Sequence, residues 1–188
     1  VLELYRRQQG DQDYLPNYAR VFCYRPKVMQ AWASLQQELR RDLDAKTFGL
    51  VTLAAALAMG SSYCALAHAG KLMRHFYTER EMLAIVRGDA ESPLTAAEKL
   101  MMAVAARVAE DSGSVTQADI DALRLAGFSD ARIFDIVAVA AARCFFARIP
   151  DALGVGPDAS LGNISRALRE LLTVGRPIDG QEESFATQ

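Results

Sequence analysis

The chain has 188 residues and a formal charge of −2, from 21 Lys and Arg against 23 Asp and Glu. That length fits one domain with a well-buried core, and the balanced, slightly acidic charge offers no field to a polyanion, so nucleic acid is excluded as a partner class. Hydrophobic residues make up 51 % but aromatics only 8 %, so the apolar content is largely Ala, Leu and Val, the composition of closely packed helices and not of a disordered chain.

In chain order, Val1 to Gln9 is charged and expected to fray, residues 10–16 form an irregular arm, and Asn17 to Cys23 makes a short turn. Pro26 starts an amphipathic helix with Val28, Met29, Trp32, Leu35, Leu39 and Leu43 at three- and four-residue spacings. Asp44 opens the next helix, apolar nearly all round from Phe48 to Met59 and so predicted to be central and enclosed, with Gly60 ending it. Ser61 or Ser62 caps a helix towards Tyr77. Thr78 with Glu81 and Thr95 with Glu98 are capping boxes that open two more. A turn at Asp111 to Val115 precedes a short helix from Thr116, closed by Gly127. Ser129, flanked by Phe128 and Ile133, begins a long helix predicted to stop before Pro150. A last helix over Leu161 to Leu172 and a polar tail from Gly175 to Gln188 complete an all-α reading without strands.

The longest apolar run, Phe48 to Gly60, has thirteen residues and includes Thr52, short of the about eighteen needed to span a bilayer, so no membrane association is expected. The N-terminus lacks the apolar stretch of a secretory signal. The three cysteines, Cys23, Cys64 and Cys144, cannot pair completely within one chain, which points to a reducing cytoplasm.

One constellation carries chemistry: Gly60-Ser61-Ser62-Tyr63-Cys64-Ala65-Leu66-Ala67-His68. With Ser61 as the cap, Cys64 occupies the third helical position, where unbonded amides and the helix dipole favour a thiolate below the free thiol pKa of about 8.5. His68 lies one turn on along the same face. The two could act as nucleophile and base or as thiolate and imidazolium, whereas the structural alternative makes Cys64 a small buried hydrophobe. Tyr63 flanks the thiol and is expected to pack in the interior. His75, seven residues beyond His68, shares its face roughly, but three ligands from one helix suit tetrahedral zinc poorly, so no metal is assigned. No phosphate-binding glycine pattern and no Ser-His-Asp order is present, and no cofactor is expected. Asp135 and Arg143, eight apart, share a face of the long helix as a solvated pair or a pair across a subunit seam. Trp32 reads as a core or interface anchor.

The block from Leu50 to His68 resembles the core motif of the alkylhydroperoxidase D and carboxymuconolactone decarboxylase superfamily, in particular its peroxidase-related branch. Tyr14-Leu15-Pro16-Asn17-Tyr18-Ala19-Arg20-Val21-Phe22, Ala142-Arg143-Cys144-Phe145-Phe146 and Asp151-Ala152-Leu153-Gly154 extend the likeness across residues 14–160 of a single domain over 1–188. The resemblance implies an all-α helical bundle of the alkylhydroperoxidase D-like type. It also implies that Cys64 matches the peroxide-reactive cysteine and His68 the relay histidine. Ser61 stands in place of the resolving cysteine, and Gly49 in place of the relay Glu. The activity so implied is that of an alkylhydroperoxidase-like oxidoreductase with peroxiredoxin-type antioxidant activity, reducing a small hydroperoxide through Cys64 and His68, with Ser61 and Tyr63 in support. An external thiol or redox protein serves as reductant, because Cys23 and Cys144 read as core residues. The family also implies a homo-oligomer, a trimer or hexamer, whose seam could use Ala138 to Ala142 with Phe145 and Phe146. Two alternatives stand beside this reading: an acid-base lactone decarboxylase-like enzyme with His68 as base, and a catalytically degenerate oligomeric binding protein.

Overall fold

Side-chain caps set most of the helix starts. The computed structural model describes residues 14–180, and among these residues there are nine α-helices, two short 3-10 turns and no strand. The helices are α1 (Asn17–Phe22), α2 (Pro26–Arg40), α3 (Ala45–Ala58), α4 (Ser62–His75), α5 (Glu79–Arg87), α6 (Ala96–Asp111), α7 (Gln117–Leu125), α8 (Asp130–Ala152) and α9 (Arg166–Leu172). Asp44 accepts a hydrogen bond from the Thr47 amide, Thr78 and Thr95 form reciprocal boxes with Glu81 and Glu98, and Ser129 accepts from the Arg132 amide. Each pairs an amide that the first helical turn leaves unbonded.

The enclosed helix is α3, in which every residue from Phe48 to Ala56 is buried. It packs against α4, α6 and α8, and its small residues let these neighbours close in on all sides. The turn into α4 is tight. Gly60 has φ +73°, its amide donates to Leu57 O at 3.2 Å, and the Ser61 amide donates to Ala56 O at 2.9 Å, the paired bonds of a Schellman ending. This turn leans on a later segment of the chain. The Gly175 amide donates to Ser62 Oγ at 2.8 Å, and a Cβ on Gly175 would fall 2.0 Å from Gly60 O, so only glycine fits.

Several boundaries differ from the sequence expectation. Helix α2 stops at Arg40, its buried residues are Met29 and Trp32, and Val28 and Leu35 face solvent. Helix α4 ends at His75, short of Tyr77. Helix α8 passes through Pro150 to Ala152, because a proline in the final turn removes only its own donor while Leu153 and Val155 still bond back to Pro150 O. The predicted last helix is interrupted: Ala159–Gly162 is a 3-10 turn and α9 begins afresh behind the Ser165 cap. The expected tail starts later than Gly175, since Ile178 is buried and the Asp179 amide donates to Pro157 O. The fraying segment Val1 to Gln9, the arm as far as Asp13, and the tail beyond Gly180 lie outside the described residues. Among the described residues no helix is long and apolar enough to cross a membrane.

Candidate active site

Helix α4 supplies the centre of the site. Ser61 occupies its cap position without a capping side-chain bond, so Cys64 falls at the third helical position as the sequence indicates. The thiol is 3 % exposed. Burial, the largest influence, pushes its pKa up. The Arg143 charge, the nearby Ser61 hydroxyl and the Arg143 N–H hold it back, and Asp151 adds to the rise. The direction is opposite to that of a thiol acidified by the helix start, because desolvation of the thiolate outweighs the Arg143 charge and the donors beside the sulfur. Cys64 rests as a thiol.

His68, 5 % exposed, is held well below the usual histidine range, first by burial and then by the charges of Arg143, Lys71 and Arg40. It is a neutral imidazole at neutral pH, so the resting pair is thiol and imidazole and not an ion pair. Cys64 and His68 line one cavity of about 180 Å³, walled by Tyr18, Trp32, Tyr63 and Phe146 among others. Tyr63 packs in the interior as expected and also donates a hydrogen bond to the buried Asp158, which in turn accepts from the Asn17 amide at 2.8 Å. Ser61 Oγ is buried and makes no hydrogen bond within normal geometry, yet it lies close enough to Cys64 and Asp151 to favour the charged form of each.

The residue that sequence reasoning misplaced is Arg143. It is neither on a solvated face nor paired with Asp135. It is 4 % exposed, with Nη1 3.9 Å from Cys64 Sγ and Nη2 3.5 Å from Gln36 Oε1, and its guanidinium lies over the Trp32 and Phe146 rings. A signal was present: the residues three and four positions from Arg143, namely Val139, Ala140, Phe146 and Ala147, are all apolar, which puts Arg143 on the apolar stripe of its helix. Phe146, expected at a subunit seam, is 8 % exposed and stacks on Phe22 and Trp32. Ala140 is buried too, whereas Ala141 and Phe145, the latter at 48 % exposure, lie on the outside and Ala138 and Ala142 are half-buried.

A second, larger cleft of about 480 Å³ adjoins the first. Arg40, His68 and Lys71 line both, while Gly49, Leu72, Arg74 and His75 line only the outer one. At Gly49, where the resemblance implies a relay Glu, the space is filled by packing: a Cβ there would meet Leu72 Cδ2 at 2.7 Å. No Asp or Glu among the described residues lines either space. His75 faces the outer cleft apart from Cys64, and no group of three His, Cys, Asp or Glu suited to a metal assembles among the described residues. Cys23 donates to Arg20 O at 2.7 Å and Cys144 to Ala140 O at 3.5 Å, and neither lines the Cys64 cavity.

The helical bundle has an alkylhydroperoxidase-like fold, shown by its likeness to solved structures. Residues 26–91, which include Cys64 and His68, match the model of the Carboxymuconolactone decarboxylase family. No curated protein matches the chain. Among solved structures it is similar to the alkylhydroperoxidase AhpD core of an uncharacterized peroxidase-related protein from Ralstonia eutropha JMP134, with TM-score 0.73, 20 % identity, and 94 % of this chain and 92 % of that one covered. An uncharacterized peroxidase-related protein from Silicibacter sp. TM1040 gives TM-score 0.76 at 20 % identity, covering 87 % of each chain. The debrominase Bmp8, in complex with 2,3,4-tribromopyrrole, gives TM-score 0.69 at 17 % identity, covering 90 % of this chain and 88 % of that one. At these identities the likeness concerns the fold.

Proposed function

We propose that the chain is a thiol-dependent peroxidase that reduces small hydroperoxides at Cys64. The observation that carries this reading is the company of the thiol: a buried guanidinium 3.9 Å from the sulfur and a neutral imidazole in the wall of the same small cavity. The hydroperoxide enters the cavity, Cys64 gives up its proton, and the sulfur attacks the terminal peroxide oxygen. The S–O bond forms as the O–O bond breaks, and the leaving alkoxide takes a proton, giving Cys64 sulfenic acid and an alcohol. Arg143 stabilises the developing thiolate and His68 carries the proton. No second cysteine reaches the sulfenic acid, so an external thiol restores it. The test is intact-mass analysis after a stoichiometric dose of peroxide with dimedone. One adduct is expected on the wild type and none on Cys64→Ser, whereas an unmodified Cys64 sinks the reading.

A cytoplasmic homo-oligomer, trimer or hexamer, belongs to the same proposal. Phe134, Phe145 and Leu153, at 70 %, 48 % and 64 % exposure, supply apolar surface along α8 and its end. Light scattering of a monomer at micromolar concentration would refute it. A second reading, acid-base chemistry on a carboxylated lactone with His68 as base, is favoured by the neutral imidazole amid cations and no acid. Turnover of such a lactone by Cys64→Ala would support it over the peroxidase.

A further inference from the structure

The peroxidase reading leaves a specific requirement. With Ser61 in place of a resolving cysteine and with Cys23 and Cys144 outside the cavity, the Cys64 sulfenic acid must be reduced from outside. Cys64 is 3 % exposed at a cavity of about 180 Å³. A protein thiol carried on a folded surface does not enter a space of that size, but a small molecule does.

The charge around the route is one-sided. Arg40, Lys71 and Arg143 line the inner cavity, and Arg74 joins Arg40 and Lys71 around the outer cleft. None of the four forms an ion pair among the described residues. Arg143, at 4 % exposure, has its Nε without a hydrogen-bond partner, and so does the neighbouring Gln36 Nε2. A buried cation without an acid is costly unless an anion completes it. Hydroperoxides are neutral at neutral pH, whereas a thiol attacks as its thiolate. The cations therefore match the reducing half of the cycle.

We propose that Arg40, Lys71 and Arg143 form the receiving site for an anionic, carboxylate-bearing small thiol, which enters through the outer cleft and reduces Cys64. This rests on the peroxidase reading for its chemistry. Arg40 and Lys71, shared by both spaces, hold the carboxylate, and Arg143 meets the thiolate at the sulfur. The thiolate attacks the Cys64 sulfenic sulfur, an S–S bond forms as the S–O bond breaks, and the departing hydroxide takes a proton to leave as water. A second thiolate then attacks the mixed disulfide at the small-molecule sulfur. It releases Cys64, which takes up a proton, and leaves as the symmetric disulfide. Two thiols thus supply the two electrons that the hydroperoxide removed.

The experiment uses a Cys23→Ser/Cys144→Ala background in which Cys64 is the lone thiol. Its sulfenic acid is reduced by 3-mercaptopropionate, 2-mercaptoethanol or cysteamine, with rates expressed per thiolate and normalised to each thiol's rate with a neutral small disulfide. The anionic thiol is expected to be about tenfold faster than the cationic one, with the neutral one between. Raised salt or Arg40→Gln/Lys71→Gln should collapse that ratio. Equal normalised rates, a ratio that survives the double variant, or a dithiol redox protein outpacing every small thiol would overturn the proposal. If dimedone captures no sulfenic acid, the peroxidase reading fails by itself, and the site is then read by disulfide exchange of Cys64. A preference for 5,5′-dithiobis(2-nitrobenzoate) over neutral 4,4′-dithiodipyridine, lost in the double variant, sustains the anion site; no preference refutes it.

Discussion

The two ends of α4 carry titratable groups on one stripe, Cys64, His68, Lys71 and His75, but in opposite surroundings. At the first end, Cys64 and His68 are 3 % and 5 % exposed, and burial is the largest influence on both, raising one pKa and lowering the other. At the far end, Lys71 and His75 reach solvent at the outer cleft. Lys71 is brought down to about 8, first by the protein packed around its ammonium and then by Arg40, Arg143 and Arg74. The buried end holds Cys64 and His68 in their neutral forms, while the open end presents Lys71 to solvent. On the proposed function, one helix separates reaction from recognition by depth.

The largest expected effect breaks the buried end. Arg143→Met removes the cation beside the sulfur, and oxidation of Cys64 by hydrogen peroxide should slow by about tenfold or more at neutral pH, since one pKa unit is a factor of ten in thiolate. The pH at which the rate is half-maximal should move up, as followed by timed intact-mass analysis. Thermal stability should hold or rise, because an acid-free buried charge has gone. An unchanged rate with lost stability would make Arg143 a structural residue.

Next comes the wall between the two ends. Gly49→Glu, which places an acid where the family resemblance implies one, should destabilise by about 1–3 kcal/mol because its Cβ drives into Leu72, only 2.7 Å from Cδ2. Combining it with Leu72→Ala should cost about 0.5–3 kcal/mol less than the sum of the single changes, read as a coupling in urea denaturation. Strict additivity would mean that Leu72 does not occupy the space of the acid.

These residues also show how far the chain could be read unaided. Asp44, Thr78, Thr95 and Ser129 cap their helices through neighbours three residues away, so local sequence suffices to place them. The run from Phe48 to Ala56 has no polar face, and its enclosure followed. Pro150 misled because its penalty depends on where in the last turn it falls, and the 161–172 helix broke where Gly162 and Asn163 leave the 3-10 turn. Cys64 and His68 were legible from spacing, yet the direction of the Cys64 shift was not, since it depends on how deeply other helices bury the sulfur. Arg143 lies seventy-nine residues from Cys64 along the chain, and only packing of α8 against the site brings the two together.

His68 gives a smaller effect with a definite sign. Its folded pKa lies well below its unfolded value near 6.5, so as pH falls through that value the unfolded chain binds the proton first. Stability should therefore drop as pH falls below about 6.5, by at most about 1.4 kcal/mol per pH unit from this group. His68→Gln should flatten that part of a urea-midpoint profile. An identical slope in the variant would show that other groups set it.

The smallest effect concerns the open end, and it tests whether depth alone separates the two. Lys71 at about 8 is half neutral in mildly alkaline buffer, while Lys46 is pulled the other way, first by its hydrogen bond to Glu98, which lies 2.7 Å away. Limited acetylation at pH 8 should therefore label Lys71 first, at roughly ten times the rate of an ordinary lysine, and Lys46 last, as read by peptide mass mapping. The same depression means that folding gains stability as pH rises from about 8 towards the ordinary lysine value of about 10.4, because the unfolded chain then holds the proton that the folded one has lost. Saturation with 3-mercaptopropionate should slow labelling of Lys71 while leaving Lys46 untouched, since an anion between Arg40 and Lys71 restores the ammonium. If Lys71 labels no faster than Lys99, the far end of α4 is an ordinary solvated surface and the contrast with the buried end reduces to exposure.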